Sequence, residues 1–162
     1  MLEAVLFAVG RTADLDELAA AVEAPPEDVV GALGVLDRAL QERGVQLLRV
    51  AGGYRIVTRP EFADAVRRML QPPPVRLTPA RLETLAVIAY RQPITRAEME
   101  AIRGVDCSGT VKTLLDLGLV ELRGRRHDKP GRPLQYGTTA RFLEEFALDS
   151  LSDLPKLEEL EA

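Results

Sequence analysis

Apolar side chains recur through the first seventy residues at helical spacing and then, briefly, at strand spacing. Leu2, Val5, Leu6 and Val9 stand at i, i+3, i+4 and i+7, so they share one face of a short helix that Gly10 can stop. Leu15, Leu18, Ala19 and Val22 repeat the pattern behind Asp14, whose carboxylate can accept from the exposed N–H groups of a helix start, while Glu17 favours the positive helix end. Pro25-Pro26 opens a longer helix with Val29, Leu33, Leu36 and Leu40 on its inner face, ended by Gly44. From Gln46 to Thr58, β-branched and apolar residues flank Gly52-Gly53, which lack the Cβ that would hinder a tight hairpin turn. Three helices and a hairpin predict a winged helix. Pro60 then opens a fourth helix whose stripe, Phe62, Val66, Met69 and Leu70, is expected to close the domain.

After Pro72-Pro73-Pro74 the plan repeats. Thr78-Pro79 reads as N-cap and first helical residue, followed by Leu82, Leu85, Ala86 and Ala89 on one face. Thr95 and Glu98 can satisfy each other's backbone N–H groups while Ile94 packs on Met99, the clearest helix start in the chain. That helix ends at Gly104. Asp106 or Ser108 starts the next, with Val111, Leu114 and Leu115 inward and Gly118 at its end. Strands over 119–123 and 134–139 flank a Gly- and Arg-rich wing, and Phe142 and Phe146 are expected to fasten a last helix. The expected fold class is mainly α with small β-hairpins (α+β), in two tandem winged-helix domains. Their bounds are 1–70 and 78–146, with a linker at 71–77 and an acidic tail at 147–162. The tail's leucines, Leu148, Leu151, Leu154, Leu157 and Leu160, are too few to build a core among so many acids, so it is expected to be mobile or to serve as a docking strip.

Composition narrows the function. No apolar run approaches the roughly 18 residues a membrane span requires. The first residues lack the basic region, apolar core and cleavage site of a secretory signal, so a cytoplasmic protein is expected. Cys107, the single cysteine, excludes an internal disulfide. The 25 acidic and 21 basic residues are unevenly spread: residues 1–58 carry nine acids and five bases, 79–142 seven acids and eleven bases, and 143–162 seven acids and only Lys156. The basic surplus belongs to the second domain.

Candidate chemistry is sparse. Cys107 near a helix start could be activated, with His127 as base, but no third orienting group is marked. One Cys and one His cannot make a four-ligand metal site, and Gly124 to Gly131 lacks the Gly-Lys-Ser/Thr ending of a phosphate loop. No cofactor is expected. A winged helix reads DNA with its third helix, yet the first domain's carries Glu27, Asp28, Asp37 and Glu42 against Arg38 and Arg43, and the second's only Lys112 against Asp116. The second wing differs. Arg123, Arg125, Arg126, Lys129 and Arg132 could contact phosphates or an acidic partner, or simply keep a hairpin edge solvated.

The run from Glu83 through Ala89-Tyr90-Arg91-Gln92-Pro93-Ile94-Thr95-Arg96-Ala97-Glu98 resembles the signature of the segregation and condensation protein B family. So do Ile102-Arg103-Gly104-Val105, Gly131-Arg132-Pro133-Leu134, Tyr136-Gly137-Thr138-Thr139, Gly52-Gly53-Tyr54-Arg55 and Arg67-Arg68. Asp106-Cys107-Ser108-Gly109 departs from the Asn-Ser-Asp type run usual in that family. Members are accessory subunits of the bacterial SMC chromosome-condensation complex. The resemblance implies a non-enzymatic homodimer, joined through its first domains, that captures the central region of a kleisin, segregation and condensation protein A. The SMC ATPase would be met only through the kleisin, near the nucleoid, with DNA bound weakly and non-specifically at most. It makes the turn of Tyr90, Arg91 and Gln92, with Ile94, a candidate partner surface. The first domain's apolar stripes make Leu2, Val5, Leu6, Leu33 and Leu36 candidates for dimerisation. The alternative is a dimeric DNA-binding regulator acting through the basic wing.

Overall fold

The computed structural model describes residues 1–70 and 77–156. The fold is mixed α+β, and the chain divides into two compact units, Met1–Pro74 with Ala147–Ala162, and Val75–Phe146. The expected linker falls almost wholly outside the described residues, as does the tail beyond 156.

In the first unit, helices α1 (Leu2–Val9), α2 (Leu15–Val22) and α3 (Pro26–Ala39) precede an antiparallel hairpin of β1 (Val45–Val50) and β2 (Gly53–Thr58). The core gathers Leu6, Leu18, Val29, Leu33 and Leu40, the periodic positions of the three helices. Each helix ends for a local reason. Gly10 takes φ 64° after α1, and Asp14 and Glu17 form a reciprocal capping box on α2. At the end of α3, the Arg59 guanidinium donates to the carbonyls of Leu40, Gln41 and Arg43 at 2.9–3.0 Å, where the helix dipole favours a cation.

The hairpin turn differs from expectation. Its two central residues are Ala51 and Gly52, with φ 52° and 75°, and Gly53 already pairs with Val50. Gly53 is needed for a close approach instead: a Cβ there would lie 2.6 Å from the Ala13 carbonyl oxygen. Ala13 and Tyr54 exchange two backbone hydrogen bonds across that approach, so the α1–α2 connection adds a bridge to the hairpin.

After a 3-10 turn at Pro60–Phe62, α4 (Ala63–Leu70) runs without a single buried residue. The expectation that its stripe closes the domain is corrected, since Met69 is 84 % exposed and Leu70 69 %. The returning segment also differs from a mobile tail over Leu148 to Asp153. The Ala51 N–H donates to the Leu148 carbonyl at 2.9 Å, the Gly52 N–H to Asp149 Oδ1 at 3.0 Å, and Arg49 pairs with Asp149 at 2.8 Å. A 3-10 turn follows at Leu151–Asp153, capped by Ser150.

The second unit comprises α5 (Pro79–Arg91), β3 (Ile94–Thr95), α6 (Arg96–Arg103), α7 (Ser108–Asp116), β4 (Val120–Arg125), β5 (Leu134–Thr138) and α8 (Ala140–Glu145). Its sheet has the order β3-β5-β4, antiparallel throughout, with a bulge between Leu122 and Gly124. The inner face of α5 is Thr84, Leu85, Ile88 and Ala89; Leu82 and Ala86, expected inside, are exposed. Met99, Val111, Leu114, Leu119, Val120 and Phe142 complete the core. Phe146 stacks against Phe142 at 4.9 Å yet stays 41 % exposed.

Candidate functional site

The turn after α5 is fixed mainly from within. The Gln92 amide donates to the Ala89 carbonyl at 3.2 Å and the Thr138 hydroxyl at 2.9 Å, and its oxygen accepts from the Thr138 N–H at 2.8 Å. Gly137 makes room for it, as a Cβ there would stand 2.7 Å from Gln92 Oε1. Gln92 therefore joins the first helix to the sheet. Ile94 is 3 % exposed and pairs with Tyr136 in the sheet, so its expected partner contact is corrected to a core role. Of the four named residues, Arg91 is exposed and Tyr90 half-buried.

Arg103 stands in a family-like run, but the sequence pattern assigns it no role. Its side chain, 13 % exposed, donates to the Ala80 carbonyl at 2.9 Å and to the buried Thr84 hydroxyl, and pairs with Glu83 at 2.7 Å. It rivets α6 to α5. Periodicity could not reveal it, because a guanidinium facing carbonyls leaves no apolar trace.

The wing is less cationic in space than in sequence. Arg126 and Lys129 both bond to Glu98, Lys129 at 2.9 Å, and Arg126 also faces Asp128. Arg123 pairs with Glu121 at 3.1 Å and donates to the Thr138 carbonyl at 2.7 Å. Arg125 donates to the Arg132 carbonyl at 3.2 Å, and Arg132 is exposed. Glu98 is the hub: its other oxygen accepts from the N–H and hydroxyl of Thr95. These donors, the Thr95 N–H and the Lys129 ammonium first, hold its carboxyl down at about 2. Three of the five wing cations thus spend charge on this unit's own acids, which weakens the phosphate attraction that non-specific DNA binding needs.

Cys107 is 1 % exposed, with its thiol against the Val105 carbonyl at 3.5 Å, whereas His127 is exposed on the wing. A thiol buried this deeply is poorly placed as a nucleophile. Asp106, in the run that departs from the family pattern, accepts from the Ser108 N–H at 2.7 Å in a local side-chain turn just before α7, whose N-cap position, Cys107, has no side-chain cap. Among the described residues no three metal-ligating side chains gather, and no helix is long and apolar enough to cross a membrane.

The dimerisation candidates lie mostly inside. Leu2, Leu6, Leu33 and Leu36 are all buried, at 1–9 % exposure, and Val5 is half-buried. They are corrected to core residues of the first unit. The same helices show other apolar residues: Met1 and Phe7 are about four-fifths exposed, and Val30 and Val35 about half. Between the start of α1 and the length of α3 lies an open groove of about 430 Å³, lined by Val22, Ala24, Ala32, Val35 and Ala39 with Glu3 and Asp28. A smaller groove of about 210 Å³ in the second unit is lined by Leu77, Leu82, Leu117, Leu119 and Phe146 together with Arg141 and Glu145.

A family model described as segregation and condensation complex subunit ScpB matches residues 1–157. The chain is 49 % identical to segregation and condensation protein B of Moorella thermoacetica, over 99 % of this chain and 83 % of that one. Among solved structures, ScpB from Mycobacterium tuberculosis is 39 % identical, covering 90 % of this chain and 91 % of that one with a TM-score of 0.44. A dimer of an ScpB N-terminal domain complexed with a ScpA peptide is 28 % identical. It covers 42 % of this chain and 88 % of that one, with a TM-score of 0.40.

Proposed function

The chain belongs to the family of segregation and condensation complex subunit ScpB, and from that premise we propose a homodimeric adaptor that captures the central region of a kleisin. As a member it is a non-catalytic subunit of the SMC segregation and condensation complex. The kleisin, segregation and condensation protein A, links it to the SMC ATPase, and the assembly works at the nucleoid in the cytoplasm. The observation that carries this reading is apolar surface left open on both units. Phe7, Val35, Met69 and Leu70 stand exposed on the first, Leu82, Ile102, Val105 and Phe146 on the second. Open grooves of this kind suit a flexible polypeptide that folds as it binds.

Co-expression with the kleisin, followed by size exclusion with light scattering, tests the reading. The expected result is a dimer that co-elutes with the kleisin; a monomer that never does so defeats it. Leu82→Asp, at the rim of the second unit's groove, is expected to weaken kleisin binding about tenfold, as loss of an apolar anchor does. DNA contact is weak and non-specific in this reading, because the wing's charge is largely met internally. Tight binding with a steep salt dependence in mobility shifts would favour the DNA-binding regulator instead.

A further inference from the structure

The tip of the second unit's hairpin, residues 123–132, carries Arg123, Arg125, Arg126, Lys129 and Arg132, and no apolar side chain other than Pro130. All of it is exposed except Arg126, which leans inward. There the Arg126 guanidinium and the Lys129 ammonium converge on one atom, Glu98 Oε1, Lys129 at 2.9 Å. Two cationic donors meeting on a single oxygen is an arrangement that can equally take a phosphate oxygen. The other oxygen of Glu98 is in use elsewhere: Oε2 accepts from the Thr95 N–H at 3.0 Å and its hydroxyl at 2.8 Å. Helix cap and wing therefore share one carboxylate through different atoms, and Oε1 stands where an anion from outside would stand.

We infer that Arg126 and Lys129 are a binding pair for the phosphates of nucleic acid, and that Glu98 holds the pair closed as a built-in competitor. A phosphate must displace Oε1 to reach it. Arg125 and Arg132 are exposed on the same tip, and the Arg125 bond to the Arg132 carbonyl neutralises neither, so they supply the first attraction. A protein partner held tightly needs apolar or aromatic anchors, which this tip lacks, whereas a phosphodiester backbone needs only cations. The site lies wholly within the second unit and depends on neither dimer nor kleisin.

Glu98→Gln in the full chain tests it. Glutamine at this position completes a capping box as glutamate does, so the Thr95 bonds are kept while the charge that holds the two cations is lost; circular dichroism melting checks the fold. Fluorescence anisotropy with a short labelled duplex in low salt should show binding about tenfold tighter than wild type, with the slope of log affinity on log salt steeper by about two, one for each cation released. R126A/K129A should leave the weak binding of the wild type nearly unchanged and abolish the whole gain in the Glu98→Gln background. That coupling separates a lock from a mere change of net charge, for which the two effects would add. If Glu98→Gln binds the duplex no tighter, or R126A/K129A weakens the wild type as much as it weakens Glu98→Gln, the lock is wrong. A loss of about tenfold on R126A/K129A in the wild type alone shows the pair already open to phosphate, and it overturns the lock even if Glu98→Gln does not fold. If poly-glutamate gains as much from Glu98→Gln as the duplex does, the pair serves acidic peptides and the assignment to nucleic acid falls.

Discussion

The two units place a glutamate at the same point of the same helix and use it differently. Glu17 is the third residue of α2 and Glu98 the third of α6, and each closes a capping box with the residue before the helix. Glu17 receives Arg11, six residues earlier in the preceding loop, at 2.7 and 3.0 Å. Glu98 receives Arg126 and Lys129, some thirty residues away on the wing. A local cap in the first unit is a long-range tie in the second. The second unit therefore fastens its wing with its own helix, while the first unit's hairpin turn is held by the returning Asp149. The difference teaches that a shared element order does not imply a shared way of fixing the wing.

The largest effects test what the units have in common. Leu6→Ala and Leu114→Ala each empty a fully buried site, and each is expected to cost about 2–5 kcal/mol in urea unfolding, by lost burial and the cavity left behind. A much smaller loss in one unit would show that its core is loosely packed. Next come the two glycines at which hairpin meets helix connection. Gly53→Ala drives a methyl into the Ala13 backbone, whereas Gly137→Ala meets side-chain atoms of Gln92 and Arg123. Both are expected to destabilise by about 1–3 kcal/mol, as overpacking does, with Gly53 the costlier because backbone yields less.

These same positions mark how far sequence carries. The helices of both units were legible, because their caps are local: Asp14 with Glu17 and Thr95 with Glu98 lie three residues apart. So was the buried face of α3. The strand β3 was not, since two residues carry no period and its partner Tyr136 lies some forty positions on. Gly52 and Gly53 were read together as turn formers, yet Ala51 shares the positive-φ turn with Gly52, and Gly53 serves close packing. The misassigned site residues share one cause. Periodicity reports which residues share a face, as Leu2, Leu6, Leu33 and Leu36 do, but not whether that face meets its own core or another chain. For α4 the error ran the other way, because a stripe implies a partner without saying that the partner is in the same unit.

Removing the two glutamates breaks the comparison at a smaller scale. Glu98→Ala leaves the buried Thr95 without its acceptor and frees the wing, with an expected loss of about 1–3 kcal/mol and faster amide exchange over residues 124–131. Glu17→Ala is expected to cost less and to leave the β1–β2 amides unchanged, as the Arg11 and Glu17 side chains are solvent-exposed and the bridge from this connection to the hairpin is made by the Ala13 backbone. Acid should act on both at once. The donors around Glu17, Arg11 first, and around Glu98, the Thr95 N–H first, lower each carboxyl from 4.5 to about 2. Above 4.5 both are ionised whether folded or not. Below it the unfolded chain binds protons that the folded chain still refuses, so stability should fall between about 4.5 and 2 in acid titration. In E17A/E98A that slope should flatten.

The smallest effect is the most specific to the first unit. Asp149 meets Arg49, whose side chain is 66 % exposed, and so water and salt screen most of the attraction. Its bond to the Gly52 N–H is different in kind, because it holds a turn whose two residues both sit at positive φ. Asp149→Asn keeps a side-chain oxygen for that N–H and removes only the charge, while Asp149→Ala removes both. Asn should therefore leave Gly52 exchange near the wild-type rate and abolish its salt dependence, and Ala should speed it, with a global loss of at most about 1 kcal/mol. The Ala51 N–H, which donates to the Leu148 carbonyl, reports the segment itself. If Ala51 and Gly52 both exchange as fast in the wild type as in Asp149→Ala, the returning segment does not hold this hairpin, and the contrast between the two wings reduces to the presence or absence of the glutamate tie.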